Sequence, residues 1–364
     1  MIPLTPKEAV IRIARRVLGE ERVHDHLIKR GIKLRHLEDG YTGDRENCDG
    51  NRAENRNSNR AYRQTLIFMV DGKWMHGGLT DRLRGMASAY KFATEHNLDF
   101  KIFHTSPFLL QEILEPNKVD WRIDEKQISK NCSVAKPVLL YREDFNNDSA
   151  LERQLDKIHE QFHLYSCVDT LDGKFAEYFN ELFKPSALLA QEIEHYSKLL
   201  GENYTSFSFR FQNKLGDFKE FTFKELPEKG KRELMNAALN AINDSGSGAG
   251  MTNQDNNKSG MTMLDNNASG MTAAKILVTA DSPSFLAEAA KLPNVVIVQG
   301  NSIHIDFNSS KKAVDYLKAF TEFFLISKAK SAKLYRNRKY KTYPSNFPKY
   351  AASLGNVPYE SIED

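Results

Sequence analysis

Polar side chains that can bind anions or move protons stand directly after apolar runs of strand length. The segment 77–85, GGLTDRLRG, follows the apolar run 65–70 and precedes a helical pattern. Paired glycines let a backbone approach a ligand closely, and the free N–H groups at a helix N-terminus attract anions. Asp81, Arg82 and Arg84 add a carboxylate and two guanidinium groups beside these glycines. The glycine pattern alone is compatible with an anion site and, equally, with a tight turn that caps a helix.

A second segment of this kind is 206–218, SFSFRFQNKLGDF, in which an alternating apolar strand pattern ends at Arg210. An arginine at the carboxyl end of a parallel strand points into the crevice of the fold, where its guanidinium can hold phosphate oxygens. Asp217 lies a few residues further on and can act as a general base for a hydroxyl acceptor. On this segment alone, an ion pair between Arg210 and Asp217 on the surface is the favoured interpretation.

Asp281 and Ser282 follow a third strand pattern, within the segment 276–290, ILVTADSPSFLAEAA. Pro283 favours the first turn of a helix, so the two residues before it are typical of a helix N-cap. A carboxylate at the end of a strand also suits recognition of the N–H groups of a nucleobase. From the sequence alone, the helix N-cap is the default interpretation.

The segment Lys328–Lys349 is basic: it contains eight Lys and Arg residues, no Asp or Glu, and several tyrosines. This composition suits binding of single-stranded nucleic acid or another polyanion, or a wall around the diphosphate of a nucleotide. A solvated basic loop is the third interpretation. The whole chain has 51 Lys and Arg against 48 Asp and Glu, a net charge of +3, which is unlike a polycationic nucleic-acid binder.

The sequence also contains a literal H-E-x-x-H, formed by His159, Glu160 and His163. On a helix, two histidines at i and i+4 can bind zinc with the glutamate as base, and Glu181 is a candidate third ligand. The pattern predicts a helix here and gives a zinc metallohydrolase as an alternative function. Lys157 and the short spacing to Glu181 weigh against it.

Strand and helix patterns alternate along two stretches of the chain, which is typical of parallel βαβ units. A length of 364 residues suits two domains, at about 100–200 residues each. We therefore predict an α/β fold of two Rossmann-like domains that face a cleft, with a strand at Phe323–Ser327 in the second. The predicted parts are an N-terminal helical arm and polar linker (1–63), a first Rossmann-like domain (64–200), a second Rossmann-like domain (201–350) with a ten-residue repeat in a loop at 245–272, and a C-terminal tail (351–364).

The N-terminal stretch 5–40 predicts two helices that form an arm packed on the protein, with a helix lying on anionic lipid as the alternative. Cys48, Cys132 and Cys167 are too far apart to suggest a disulfide framework or a metal site, which favours a reducing compartment. No apolar run reaches the ~18 residues of a membrane span, and no secretory signal pattern is present. We expect a cytoplasmic protein, with peripheral contact at the inner face of the membrane as an option.

Taken in chain order, these segments resemble the motifs of the fucosyltransferase superfamily, glycosyltransferases with two Rossmann-like domains of the GT-B type. The segment 77–85 is similar to the family block G-G-L-x-[DN]-[RQ]-L, and Ser208-Phe209-Arg210 lies where the family has His-x-Arg. TADSPSFL resembles the T-D-D-P-S-L-L of the α-1,6 enzymes, and the stretch around Ser345 and Phe347 resembles the closing Ser-Ser block.

Three positions depart from the family pattern. Ser208 replaces the family histidine, Asn213 stands where many members carry Asp, and Ser282 replaces one of two acidic residues. Arg210, which in the family holds the donor diphosphate, and Asp281, whose counterpart reads the guanine, are retained.

The resemblance implies an inverting glycosyltransferase that moves a sugar, with GDP-fucose as the expected donor, onto a glycan or other hydroxyl acceptor. It also implies that the domain 64–200 lies on the acceptor side and that the domain 201–350 binds the nucleotide sugar. No metal cofactor is expected, because arginine and helix termini would neutralise the leaving diphosphate. Asp217 or Asp81 would take the proton of the acceptor. The donor contacts that the resemblance implies are Gly77, Gly78, Ser208, Arg210, Asp281, Ser282, Ser345 and Phe347.

Overall fold

The computed structural model describes residues 37–38, 40–42, 63–140, 148–218, 224–246, 274–308 and 310–364. The predicted N-terminal arm and its lipid contact, most of the polar linker and the ten-residue repeat lie outside the described residues. Among the described helices, none combines the length and the apolar character needed to cross a membrane.

The chain divides into two compact units. The N-terminal unit comprises the described residues up to Glu192 together with Ile303–Thr321, and the C-terminal unit comprises the remainder. The predicted division near residue 200 omits one feature: the segment 303–321, assigned from sequence to the second domain, packs with the first. The sequence does not predict that this segment belongs to the first unit, because its pattern of apolar and polar residues does not indicate which unit buries it.

The N-terminal unit contains a four-stranded parallel sheet in the order β2-β1-β5-β4. A small antiparallel pair, β3 with β6, accompanies it. The strands are β1 (Thr65–Val70), β2 (Asp99–His104), β3 (Leu114–Pro116), β4 (Ala135–Leu139), β5 (Gln161–Tyr165) and β6 (Phe183–Pro185), and the helices are α1 (Leu79–Glu95), α2 (Asp148–Glu152) and α3 (Phe175–Leu182). Helix α4 (Ala187–Leu200) begins in this unit and belongs to the C-terminal unit from Ile193 onward.

Helix α1 lies against the central strand β1, and a glycine makes this close packing feasible. A Cβ atom at Gly85 would lie 3.1 Å from the ring of Phe68 and 3.2 Å from the carbonyl oxygen of Ser166. The apolar run of β1 is buried along nearly its whole length, as expected for the central strand of a parallel sheet. Because this packing fixes the first turn of α1, it also fixes the glycine-rich turn that precedes the helix.

The C-terminal unit contains a five-stranded sheet in which all neighbouring strands are parallel, in the order β11-β10-β7-β8-β9. Counted along this unit, the order is 3-2-1-4-5, as in a doubly wound Rossmann sheet, with the switch point between β7 and β10. The strands are β7 (Tyr204–Phe209), β8 (Lys275–Ala280), β9 (Val295–Val296), β10 (Ser331–Arg336) and β11 (Tyr359–Glu363), and the helices are α5 (Glu228–Gly246), α6 (Pro283–Ala289), α7 (Leu317–Ile326) and α8 (Phe347–Leu354). Helix α7 begins within the segment 303–321 of the N-terminal unit and belongs to the C-terminal unit from Glu322 onward.

The alternation S-F-S-F, which continues to Phe211, reflects the two faces of strand β7. Phe207, Phe209 and Phe211 share one buried face and pack against Phe285 of α6 and Tyr335 of β10. The serines occupy the opposite face and are also buried. Burial on both faces is the environment of a central parallel strand, and it places Arg210 where the strand ends.

One strand predicted in the C-terminal unit is wrong. The apolar run Phe323–Ser327, predicted as a strand, belongs mostly to helix α7, and the strand β10 lies instead within the basic segment. A short apolar run does not distinguish a buried helix from a buried strand, since both bury every residue. The predicted C-terminal tail supplies the end of α8 and the edge strand β11.

The expectation from the cysteines is also wrong, because Cys132 is disulfide-bonded. Cysteines that are far apart in the sequence can lie close together in the fold, so their spacing does not predict whether they form a disulfide. The cysteines therefore do not indicate a reducing compartment.

Gly355, which follows α8, provides a test of the packing in the C-terminal unit. An added Cβ atom would lie 1.7 Å from the carbonyl oxygen of Ser327, so the backbone must shift. We expect Gly355→Ala to lower the free energy of unfolding by about 2–3 kcal/mol, measured by urea denaturation. The matched control is Gly230→Ala in α5, where the nearest atoms lie at 3.4 Å and alanine favours the helix. Equal stabilities of the two variants would contradict the packing described.

Candidate functional site

Arg210 stands at the carboxyl end of β7, directly after the last strand residue. Its Nη1 atom donates to Oδ2 of Asp281 at 2.6 Å, and its guanidinium lies 4.9 Å from the centre of the Phe218 ring. The arginine side chain is 17% exposed, whereas that of Asp281 is 6% exposed. The arginine is therefore held at the end of the sheet by a carboxylate on one side and an aromatic ring on another.

The Asp281 carboxylate also organises the backbone that follows β7. Oδ1 accepts a hydrogen bond from the N–H of Phe211 at 2.9 Å, and Oδ2 accepts one from the N–H of Gln212 at 2.7 Å. Gln212 is buried and has a left-handed backbone, with φ of 58°. Burial raises the pKa of Asp281, while Arg210 and the two N–H donors lower it. One carboxylate thus joins the end of β8 to the turn after β7.

Asp217 and Ser282 meet at the start of α6. The Ser282 hydroxyl donates to Oδ2 of Asp217 at 2.8 Å, and the N–H of Ser284 donates to the same oxygen at 2.8 Å. The Ser282 hydroxyl in turn accepts from the N–H of Phe285 at 3.2 Å, so it is the N-cap of the helix. Asp217 and Arg210 therefore do not form the surface ion pair considered from sequence; Arg210 pairs with Asp281 instead.

The remaining donor residues predicted in this unit lie in two other places. The Ser208 hydroxyl accepts from the Thr279 hydroxyl at 2.8 Å inside the sheet, where both residues are buried. Ser345 precedes α8, and its hydroxyl accepts from the N–H of Phe347 at 3.3 Å. The Phe347 ring packs edge to face on Phe323 of α7. Ser208, Arg210, Asp217, Asp281 and Ser282 thus lie around the ends of β7 and β8, and Ser345 and Phe347 lie at the start of α8.

Gly77 and Gly78 form the turn before α1 in the N-terminal unit. Gly77 has φ of 82°, and a Cβ atom there would lie 2.5 Å from Oδ2 of Asp81, so glycine is required. The Gly78 N–H donates to Asp81 Oδ2 at 3.0 Å, and the other Asp81 oxygen pairs with Arg84 at 2.8 Å. The tight capping turn considered from sequence is therefore present.

The N–H of Gly77 is bonded to Asp306, a residue that the sequence analysis missed. Asp306 Oδ2 accepts this N–H at 2.6 Å, and Oδ1 accepts from the Arg82 guanidinium. The Arg82 and Asp306 side chains are 5% and 3% exposed, and Arg82 also donates to the carbonyl oxygen of Ser106 at 3.1 Å. Arg82 is therefore buried, contrary to its predicted place at the edge of the site. No local pattern singles out Asp306, because its partner lies far away in the sequence.

The H-E-x-x-H segment is not helical. His163 lies within β5, and His159 precedes that strand, so the predicted helix is wrong. The zinc motif requires both histidines on one face of a helix, and this segment does not supply such a face. His159 contacts Asp156 through Nδ1 and the carbonyl oxygen of Cys132 through Nε2. In the part of the chain that the structure describes, no group of three His, Cys, Asp or Glu side chains is placed to hold a metal.

The basic segment is partly neutralised by acidic residues elsewhere in its unit. Lys333 pairs with Glu360, and Arg336 and Arg338 both pair with Glu363. Lys339 pairs with Glu233 of α5. Part of the segment is also strand β10, so the segment is neither a continuous loop nor a uniform cationic surface.

The buried pair Arg82–Asp306 makes a prediction about the N-terminal unit. Asp306→Ala leaves the guanidinium buried without its carboxylate, and we expect the free energy of unfolding to fall by about 3–5 kcal/mol in urea denaturation. The double variant Arg82→Met with Asp306→Leu removes both charges and should lose less. If Asp306→Ala matched the wild type, the pair would not hold this turn.

Two buried histidines near this pair predict how stability depends on pH. Burial, together with the nearby Arg82 charge, lowers the pKa of His76 to about 3 and that of His104 to about 3. The unfolded chain protonates these groups near pH 6.5, so it binds more protons than the folded protein between these values. We expect stability to fall as the pH drops from 6.5 towards 4, by up to about 1.4 kcal/mol per pH unit for each histidine. His104→Gln should reduce this slope in urea denaturation, and an unchanged slope would contradict the assignment.

The chain matches no model of a known protein family, and no curated protein sequence matches it. Among solved structures, the α-1,6-fucosyltransferase NodZ co-crystallised with GDP is similar over 83% of this chain and 94% of its own, with 13% identity and a TM-score of 0.50. A mutant of Arabidopsis thaliana FUT1 in complex with GDP aligns over 97% and 77%, at 10% identity and a TM-score of 0.49. POFUT1 in complex with GDP aligns over 83% and 98%, at 9% identity and 0.41. The likeness to NodZ confirms the predicted α/β class: the chain has a fucosyltransferase-like fold built on parallel sheets.

Proposed function

We propose that this protein is an inverting glycosyltransferase that takes a sugar from a nucleotide sugar, GDP-fucose, and transfers it to a hydroxyl acceptor. The observation that carries the proposal is the place of Arg210, at the carboxyl end of the first strand of a 3-2-1-4-5 sheet. Doubly wound sheets bind their ligands outside the carboxyl ends of the strands, near the switch point. The same fold in NodZ has been crystallised with GDP, which supports a nucleotide ligand here.

Arg210 binds the diphosphate of the donor in this proposal. A guanidinium has several N–H donors in a planar fork, so it can pair with a carboxylate along one edge and a phosphate along another. The buried Asp281 carboxylate and the Phe218 ring restrict its orientation before the ligand arrives. Such preorganisation favours the developing negative charge of the leaving GDP, because little rearrangement is needed during the reaction.

Asp217 is the better of the two candidate bases. Both Asp81 oxygens are engaged, one by the Gly78 N–H and the other by Arg84. Asp217 is exposed, and its described bonds to Ser282 and Ser284 use Oδ2 alone. A base must reach a hydroxyl in solvent contact, so we assign proton removal to Asp217.

Of the other predicted donor contacts, we keep two and remove one. Ser345 is partly exposed before α8 and is retained as a phosphate contact together with the neighbouring Phe347. The Ser208 hydroxyl is buried within the sheet and bonded to Thr279, so we assign it to the strand pairing and not to the donor. With arginine neutralising the diphosphate, transfer does not require a divalent cation, and activity should persist in EDTA.

The two alternative functions receive less support from the described residues. Zinc hydrolysis needs the two histidines on one helix turn, but His163 lies in a strand and His159 precedes it. Binding of nucleic acid by the basic segment competes with the carboxylates of Glu233, Glu360 and Glu363. A thermal-shift panel of GDP, UDP, CMP, zinc and single-stranded DNA separates these functions, and GDP should stabilise the wild type most.

Removal of Arg210 tests the proposal directly. We expect Arg210→Ala to keep its fold by circular dichroism and to bind GDP at least about tenfold more weakly in isothermal titration calorimetry, since a charge-assisted contact is lost. Turnover of GDP-fucose should fall about 100-fold or more, as expected when one group that stabilises the leaving charge is removed. The matched control is Arg232→Ala, an exposed arginine on α5. Wild-type GDP affinity and turnover in Arg210→Ala would contradict the proposal.

A further inference from the structure

The Asp281 carboxylate accepts three hydrogen bonds from the protein itself. Oδ1 accepts from the N–H of Phe211, and Oδ2 accepts from the N–H of Gln212 and from Nη1 of Arg210. All three distances lie between 2.6 and 2.9 Å. The side chain is 6% exposed, so the carboxylate is enclosed by the groups that it binds.

Recognition of a guanine by a carboxylate has different requirements. The base offers two parallel N–H donors, and both carboxylate oxygens must face the ligand to accept them, as in a bidentate pair. In this protein both oxygens of Asp281 face the turn after β7 and the arginine. Hydrogen bonds to a base would require these bonds to break, and the buried N–H groups would then lack an acceptor. The free-energy cost of that loss is comparable to the stabilisation that the base would provide.

The turn that Asp281 holds is the one that orients Arg210. Gln212 has a left-handed backbone, with φ of 58°, and is buried, so this conformation depends on contacts that fix it. The same turn leads to Phe218, whose ring lies against the Arg210 guanidinium. The carboxylate therefore acts on the arginine twice, through a direct ion pair and through the backbone that carries it.

We infer that Asp281 is a positioning residue, which fixes Arg210 and the turn after β7 for the diphosphate and does not contact the base. The inference rests on the proposed function, and it changes the role that the resemblance to α-1,6 enzymes implies for this position. The preference for guanine then arises from other residues, and loss of Asp281 weakens binding through the phosphates.

Isothermal titration calorimetry with GDP, IDP and guanosine tests this role. IDP lacks the 2-amino group of guanine, so the ratio of GDP to IDP affinity reports contact with that edge of the base. We expect Asp281→Asn to weaken GDP and IDP by the same factor, about tenfold or more, and guanosine much less. The ratio of GDP to IDP affinity should equal that of the wild type. A ratio that falls to one in Asp281→Asn, when the wild type prefers GDP, would overturn the inference.

A double-mutant cycle shows whether Asp281 acts through Arg210. In the Arg210→Ala background, Asp281→Asn should change GDP affinity by less than about twofold, because the group it positions is already absent. If Asp281→Asn weakened GDP binding by as large a factor in the Arg210→Ala background as in the wild type, the inference would be overturned and a separate structural role indicated. The control is Glu288→Gln, a partly exposed carboxylate on α6 that pairs with Lys291.

A second variant and the wild-type measurement distinguish failure of the positioning role from failure of the proposed function. If Asp281→Asn does not fold by circular dichroism, Asp281→Glu retains the charge while displacing the bonds to Phe211 and Gln212, and the same affinity ratios apply to it. A wild type that binds no nucleotide would overturn the proposed function itself. Nucleotide binding by the wild type with a lost GDP preference in the variant would overturn only the positioning role.

Discussion

The candidate site depends on one buried interaction, the ion pair between Arg210 and Asp281. A carboxylate with so little exposure is stable in ionised form only when several donors surround it, and here a guanidinium and two backbone N–H groups do so. The pair connects the ends of β7 and β8, and the same carboxylate fixes the turn that follows β7. Every function assigned to Arg210 assumes that this pair is formed.

The N-terminal unit repeats the same arrangement with different residues. Asp306 accepts from the Arg82 guanidinium and from the N–H of Gly77, in the turn that follows the first strand of its sheet. In both units a buried aspartate therefore joins an arginine to the backbone after the first strand. The arginine is buried in one unit and partly exposed in the other, which is why only Arg210 is a candidate for binding a ligand.

The elements that could be predicted from the sequence are those that depend on neighbouring residues in the chain. The strands that contain Leu66 and Phe207 and the capping turn at Gly77 follow from apolar runs and from the conformational freedom of glycine. The positions of Arg210 and Asp281 at strand ends were also predictable. The pairing of these two residues was not, because strand order decides which ends lie side by side, and a single sequence does not encode that order in any short pattern.

The errors have a related cause. His163 and Phe323 lie in segments whose residue types suit both helix and strand, and burial in the folded unit selected the state. Asp306 and the disulfide at Cys132 depend on contacts between distant parts of the chain. Only the fold brings such partners together, so these features could be recognised only from the structure.

The most direct test of the central claim is a crystal structure of the protein with GDP. We expect a phosphate oxygen within hydrogen-bond distance of the Arg210 guanidinium, with the ion pair to Asp281 intact and the guanine away from that carboxylate. A phosphate bound elsewhere, with Arg210 unchanged and without contact to the nucleotide, would contradict it.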